Sequence, residues 1–171
     1  MNKRIAEAFA HGKAFIPFLT CGDPSLETTE QLVYACEEAG ADLVELGIPF
    51  SDPTAEGPVI QAANMRALAG GTTTDRIFEM VERIRKRTEI PLVFMTYANV
   101  VFSYHAGGCR AGRAGAGVEK TVPGTEQFIK KAAGAGIDGL ILPDVPFEEK
   151  EEFASVCRQY GLDLISLIAP T

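Results

Sequence analysis

The chain has 171 residues, of which 46% are hydrophobic and 23% are charged, and this composition is ordinary for a globular protein with one hydrophobic core. Its formal net charge of -7 opposes binding to phosphate backbones, and no basic patch interleaved with aromatic residues is present, so nucleic-acid binding is disfavoured. No apolar run approaches the roughly 20 residues that a membrane helix requires. The N-terminal segment MNKRIAEAFAHGKAF is charged and lacks the apolar core of a signal peptide.

The cysteines do not follow the spacing of a zinc site, and the chain has only two histidines, so we expect no metal. We interpret Cys21, Cys36 and Cys157 as buried or half-buried thiols of a protein in the reducing cytoplasm.

Short apolar runs alternate with helical stretches along the chain. The expected strands are 15–20, 42–48, 90–97, 139–145 and 162–170. The expected helices are a segment that begins after Ser25 and ends at Gly40, followed by about 59–68, 74–84, 125–135 and 148–160. Thr74 is the expected cap of the helix that starts there.

The strands are nearly continuous apolar runs, which is typical of a parallel sheet covered by helices. Two helix-to-strand junctions share the pattern Ala-Gly-x-Asp, at 39–42 and at 135–138. A helix-to-strand junction that recurs in this way indicates repeated βα units. A doubly wound sheet and a (β/α)-barrel both fit this pattern.

Ligands of such folds bind at the carboxyl ends of the strands, and polar residues follow each expected strand. The polar residues at these positions are Thr20, Asp23, Glu45, Ser51, Asp52, Glu56, Tyr97, Asn99, Asp144 and Thr171.

Glu45 stands out because it lies inside an apolar strand, where a carboxylate is costly unless it is paired or protonated. It is either a solvent-facing or ion-paired residue, or a general acid-base carboxyl with a pKa raised by desolvation. One interpretation is that Asp52 forms an Asx-type turn and Glu56 is a solvated acid. The other is that both belong to a mobile active-site loop. Asp144 is a candidate cap for the helix that follows it.

Five segments occur together in one order: AFIPFLTCGDPSLE, ADLVELGIPFSDPTAEGPVIQAANMRAL, PLVFMTYANVVFSY, AGIDGLILPDVPFEE and LISLIAPT. They resemble the signature segments of the tryptophan synthase alpha subunit family over nearly all of the chain except residues 105–124. The resemblance implies a (β/α)8 TIM barrel, here about its first five βα units, and a lyase of tryptophan biosynthesis. The implied reaction is the retro-aldol cleavage of indole-3-glycerol phosphate to indole and glyceraldehyde 3-phosphate.

The resemblance also implies roles for individual residues. Glu45 matches the family's catalytic glutamate, and Glu56 matches its second catalytic acid, which is usually an aspartate and is here one methylene longer. The implied substrate-binding residues around the indole are Phe18, Thr20, Met95 and Tyr97. The implied partner-interface residues are Pro49, Asp52 and Asn99.

The implied partner is the tryptophan synthase beta subunit, in the alpha2-beta2 assembly of the family. The alpha subunit needs no cofactor of its own, and pyridoxal phosphate belongs to the beta subunit. No nucleic acid and no membrane is expected to take part.

Two departures from the family pattern lead to further expectations. Residues 105–124 are rich in Gly and Ala and are interpreted as a flexible insertion in a single partial-barrel domain of residues 1–171, with a regulatory or substrate-binding segment as the alternative. The family's last three strands and its phosphate-binding residues have no counterpart in these 171 residues. We therefore expect the isolated chain to be poorly active, and its alternative role is docking to the beta subunit alone.

Overall fold

The computed structural model of the chain describes residues 2–105 and 124–168. Five parallel strands lie side by side in chain order: β1 (Phe18–Thr20), β2 (Val44–Gly47), β3 (Leu92–Met95), β4 (Gly139–Ile141) and β5 (Asp163–Ile165). All five expected strands are therefore present, each shorter than its apolar run. The predicted insertion at 105–124 lies almost entirely outside the described residues.

The described helices connect these strands. They are α1 (Lys3–Ala8), α2 (Leu26–Glu38), α3 (Pro58–Ala69), α4 (Thr74–Ile84), α5 (Ala98–Phe102), α6 (Gly124–Ala135) and α7 (Glu151–Tyr160), with a 3-10 turn at Phe147–Glu149. None of these helices is long and apolar enough to span a membrane.

The helix ends follow from local chemistry. α2 begins after Ser25, as expected, and the Ser25 side chain caps it by accepting a hydrogen bond from the Thr28 backbone N–H. The expectation that Thr74 caps α4 is wrong, because Thr73 is the residue in extended conformation whose hydroxyl accepts from the Arg76 N–H. The helix expected at 148–160 is divided into the 3-10 turn and α7.

The main core lies between the sheet and its helices. Alternate strand residues point to this side, among them Val44 and Leu46 of β2 and Phe94 of β3. They pack against the apolar faces of the helices, including Phe78 of α4 and Phe128 of α6. This core holds the strands in register and fixes the direction of the side chains on the other face.

The opposite face of the sheet has its own small apolar cluster of Leu43, Val93 and Ile141, against which Ile5 of α1 packs. α1 therefore covers the end of the sheet at which the strands begin. The Arg4 side chain reinforces this closure by binding Asp138, the residue that precedes β4. Among the described elements, the loops that follow the strands line the opposite end.

Candidate active site

Glu45 lies on the inner face of the sheet, the face opposite the main core. Its backbone neighbours across the sheet are Phe18 of β1 and Val93 of β3. The side chain is half-buried and makes no hydrogen bond or ion pair within the described residues. Burial raises the pKa of the Glu45 carboxyl above its ordinary value. Glu45 is therefore not a paired structural charge within the described residues.

Phe18 and Gly47 shape the surface beside Glu45. A Cβ atom placed on Gly47 would overlap the Cζ atom of the Phe18 ring. Because Gly47 has no side chain, the ring can lie across β2 just beyond Glu45, toward the end where β2 finishes. An aromatic surface therefore adjoins the carboxyl group.

The loop after β2 carries the second carboxyl, Glu56. One of its oxygens, Oε2, accepts a hydrogen bond from Asn64 Nδ2 of α3 at 3.1 Å. The Glu56 backbone carbonyl accepts from Gln61 Nε2 at 2.8 Å. The preceding residue, Ala55, donates its backbone N–H to the Tyr97 hydroxyl at 2.9 Å. These contacts tie the loop both to α3 and to the end of β3.

The pKa of Glu56 is also raised, and burial is the largest cause. Hydrogen bonds from Tyr97 and Asn64 act in the opposite direction, because they stabilise the charged form. The loop thus holds a carboxyl that is partly desolvated and hydrogen-bonded at once.

The loop after β4 supports the one after β3. Both oxygens of Asp144 lie within hydrogen-bond distance of the Ala98 backbone N–H, at 3.0 and 3.1 Å. Ala98 is the first residue of α5, so Asp144 caps α5 rather than the helix that follows it in sequence. This contact fixes the segment that carries Asn99.

The expected substrate-binding residues lie at or near this end of the sheet. Thr20 and Met95 pair in register with Gly47, two residues further along the strands than the pair of Phe18 and Glu45. Both are half-buried, as is Phe18. Tyr97 is buried, with 4% of its surface exposed, and its ring packs on Phe50 with centroids 5.3 Å apart.

The expected interface residues differ in exposure. Asp52 and Asn99 are exposed, and the Ser51 hydroxyl donates to Asp52 Oδ2 at 2.6 Å. Pro49 is buried and so offers no surface within this structure. Within the described ranges, no group of three or more His, Cys, Asp or Glu side chains is placed to hold a metal ion.

Asn64 is the site residue that the sequence interpretation missed. It is 4% exposed and lies on the buried stripe of α3 with Ala63 and Ala67. A polar residue on the buried side of a short helix is the signal that was present in the sequence.

Comparisons with known proteins identify relatives over nearly the whole chain. The family model described as "Tryptophan synthase alpha chain" matches residues 6–171. The chain is 44% identical to the tryptophan synthase alpha chain of Lacticaseibacillus casei over 171 residues, which is 100% of this chain and 57% of that protein. It is 49% identical to that of Alkaliphilus metalliredigens over 159 residues, covering 93% of this chain and 53% of that protein. The chain therefore spans little more than half the length of these relatives.

Solved structures give the same result. Tryptophan synthase subunit alpha from Legionella pneumophila superposes with a TM-score of 0.83 at 37% identity, over 100% of this chain and 60% of that one. A chain of the tryptophan synthase complex from Pyrococcus furiosus superposes with a TM-score of 0.76 at 34% identity, over 92% of this chain and 57% of that one. These likenesses confirm the expected α/β fold, in which the five-stranded sheet forms part of a (β/α)8 barrel.

Proposed function

The chain belongs to the tryptophan synthase alpha chain family, and on that premise we propose that it acts as a lyase on indole-3-glycerol phosphate. The products are indole and glyceraldehyde 3-phosphate, and the reaction is a step of tryptophan biosynthesis. The observation that carries this proposal is the pair of carboxyls, Glu45 and Glu56, that β2 and its following loop supply near one end of the sheet.

A retro-aldol cleavage needs one group that transfers protons and another that stabilises positive charge on the indole ring. We propose Glu45 for the first role and Glu56 for the second. A proton is added to C3 of the indole, and another is removed from the hydroxyl on the carbon attached to C3. The carbon–carbon bond then breaks, its electrons return to the ring, and the hydroxyl becomes the aldehyde of glyceraldehyde 3-phosphate. A group that performs both transfers needs a pKa near neutrality, and burial moves the Glu45 pKa in that direction.

Glu56 has a different role in this proposal. Protonation at C3 puts positive charge on the ring nitrogen, and a carboxylate that accepts the indole N–H stabilises that charge. The hydrogen bonds from Tyr97 and Asn64 favour the charged form that this role requires. Phe18, Thr20 and Met95 are proposed to contact the indole ring, and Tyr97 to close the pocket through its contact with the loop.

We propose that the protein works with a tryptophan synthase beta subunit in the cytoplasm. The exposed Asp52 and Asn99 would contact the partner, and the buried Pro49 would shape the loop behind them. The alpha chain itself would use no cofactor and no metal, with pyridoxal phosphate confined to the beta subunit. The thiols Cys21, Cys36 and Cys157 are unpaired in the structure, in keeping with a reducing compartment.

The test is release of indole from indole-3-glycerol phosphate, measured with and without a tryptophan synthase beta subunit. Glu45→Gln is expected to lower kcat by about 10²- to 10⁴-fold, the usual contribution of a general acid-base group. Met65→Leu, at an exposed position of α3, is the control and should retain full activity. Indole release that is equal in the unmodified protein and in Glu45→Gln would contradict the assignment.

The second candidate function is docking to a beta subunit without catalysis, and the exposure of Asp52 and Asn99 favours it. In that case the chain would bind the beta subunit and change its activity, while the unmodified protein released no indole. Asp52→Ala would then weaken binding, whereas Glu45→Gln would leave it unchanged.

A further inference from the structure

We propose that Asn64 is a positioning residue that holds the Glu56 carboxylate in place to receive the indole N–H. This inference deepens the proposed function and rests on it. It concerns a side chain that touches the catalytic carboxyl and not the substrate.

The first step is the contact itself. Asn64 Nδ2 donates to Glu56 Oε2 at 3.1 Å, within the ordinary range for such a bond. Asn64 is 4% exposed, whereas Glu56 is only half-buried and lies in a loop. A buried amide that gains its hydrogen bond from a loop carboxylate fixes that carboxylate, because breaking the contact would leave the amide without this partner.

The helix that carries Asn64, α3, also contacts the loop after β1. Arg66, two residues after Asn64 in α3, forms a two-pronged ion pair with Asp23 of the loop after β1, at 2.9 and 2.7 Å. Gly22, in the same loop, lies so close to Thr72 that a Cβ on the glycine would overlap the threonine side chain. α3 thus contacts the first loop of the sheet, and Asn64 lies on the buried side of this helix.

The third step is the arrangement on the other side of Glu56. The Tyr97 hydroxyl accepts from the Ala55 N–H at 2.9 Å, and the same hydroxyl favours the charged form of Glu56 and so acts to lower its pKa. The carboxylate therefore lies between a side chain of α3 and a side chain at the end of β3. A carboxylate has about four acceptor positions, so these contacts leave room for an indole N–H.

The length of Glu56 gives Asn64 its importance. A glutamate has one more rotatable bond than an aspartate, and a mobile loop carboxylate spreads over several positions. Holding it by one oxygen restores the single geometry that a charge-stabilising group must keep.

The test compares the unmodified full chain with Asn64→Leu, which keeps the number and branching of the side-chain heavy atoms, is somewhat larger and removes the donor, and with Met65→Leu as the matched control on the exposed side of α3. The first readout is the titration of the Glu56 carboxyl, which is monitored by carbon-13 NMR in the absence of substrate. Asn64→Leu is expected to raise the Glu56 pKa further, because it removes a hydrogen bond that stabilises the charged form. An unchanged Glu56 titration would overturn the inference.

The second readout is indole release with the beta subunit present. Asn64→Leu is expected to lower kcat by about tenfold or more, to leave KM nearly unchanged, and to move the acid limb of the pH profile upward. A lower thermal midpoint with an unchanged profile would assign Asn64 a purely structural role and overturn the inference. Absence of indole release by the unmodified protein would overturn the proposed function, and the titration would still decide whether Asn64 holds Glu56.

A measurement that does not use Asn64→Leu guards against misfolding of that variant. The Asn64 side-chain amide signal of the unmodified protein should shift with pH as Glu56 titrates, and this shift should vanish in Glu56→Gln. A pH-independent amide signal in the unmodified protein would exclude the contact.

Discussion

Glu45 is partly shielded from water and has no polar partner within the described residues. Its neighbours in register are the apolar Phe18 and Val93, and nothing in the described chain donates a hydrogen bond to its carboxyl. A carboxyl in such a place costs folding free energy when it is charged. The proton-transfer role proposed for Glu45 would account for that cost.

This view predicts how the stability of the protein depends on pH. Burial raises the Glu45 pKa in the folded state above its value in the unfolded chain, so the folded state keeps the proton to a higher pH. The free energy of unfolding therefore falls as pH rises from the ordinary glutamate pKa through the raised one. Glu45→Gln removes this titration, and the variant should gain stability relative to the unmodified protein across that window and keep the gain above it.

Urea unfolding of both proteins at a series of pH values measures this difference. The same series with Glu149→Gln, at an exposed position, should give a difference close to zero throughout. A Glu45→Gln effect that does not change with pH would mean that the Glu45 pKa is not raised in the folded state.

The sequence was informative about Glu45 because its anomaly is local: a charge inside an apolar run. Asn64 was missed because its meaning depends on a contact with Glu56, eight residues earlier, across the bend between a loop and a helix. The role of Asp144 was also open, since its partner Ala98 lies on another strand's loop. Contacts between loops are set by the sheet, and spacing along the chain does not reveal them.

At the scale of elements, the strands were predictable because each lies in an apolar run; β2, β3 and β4 are largely buried, whereas β1 and β5 are half-buried. The helices with a long apolar stripe, such as α4 and α6, were found for the same reason. The sequence interpretation missed α1 and α5, which are too short for a helical period to show. Both depend on tertiary contacts. α1 packs through Ile5 on the small apolar cluster of Leu43, Val93 and Ile141, and α5 is capped by Asp144.

The dependence of α5 on Asp144 can be measured. Asp144→Ala removes the acceptor for the Ala98 N–H, and loss of a helix cap costs about 0.5–2 kcal/mol of unfolding free energy. Glu149→Ala, in the following 3-10 turn, is the control and should change stability little. Amide hydrogen exchange should also become faster in α5 of Asp144→Ala and stay unchanged in α7. Equal protection of α5 in both variants would show that packing alone maintains the helix.

At the scale of the molecule, the two ends of the sheet have different tasks. The end where the strands begin is closed by α1 and by a buried charge cluster around Asp138, which is 1% exposed. The end where they finish carries the carboxyls and the loops that hold them. The buried Asp138 ion pairs thus lie at the end of the sheet away from the loop that carries Glu56.

Variants of the charge cluster around Asp138 can test how much this end of the sheet contributes to the free energy of unfolding. Arg85, at the end of α4, binds Asp138 at 2.7 Å and also donates to the backbone carbonyls of Ile90 and Gly136. Its side chain is 10% exposed, whereas that of Arg4, the other cation on Asp138, is 37% exposed. Asp138 further accepts from the Leu92 N–H, which ties the cluster to β3.

Arg85→Ala should therefore cost about 3–5 kcal/mol of unfolding free energy, because it leaves a buried carboxylate short of its main partner. Arg4→Ala should cost under about 1 kcal/mol, since water can reach the site it vacates. Arg158→Ala breaks an ion pair with Glu151 in which both side chains are more than 60% exposed, and it should have almost no effect. Denaturant unfolding of the three variants gives the order directly. A similar loss from Arg4 and Arg85 would mean that α1, and not the buried arginine, is what secures the closed end of the sheet.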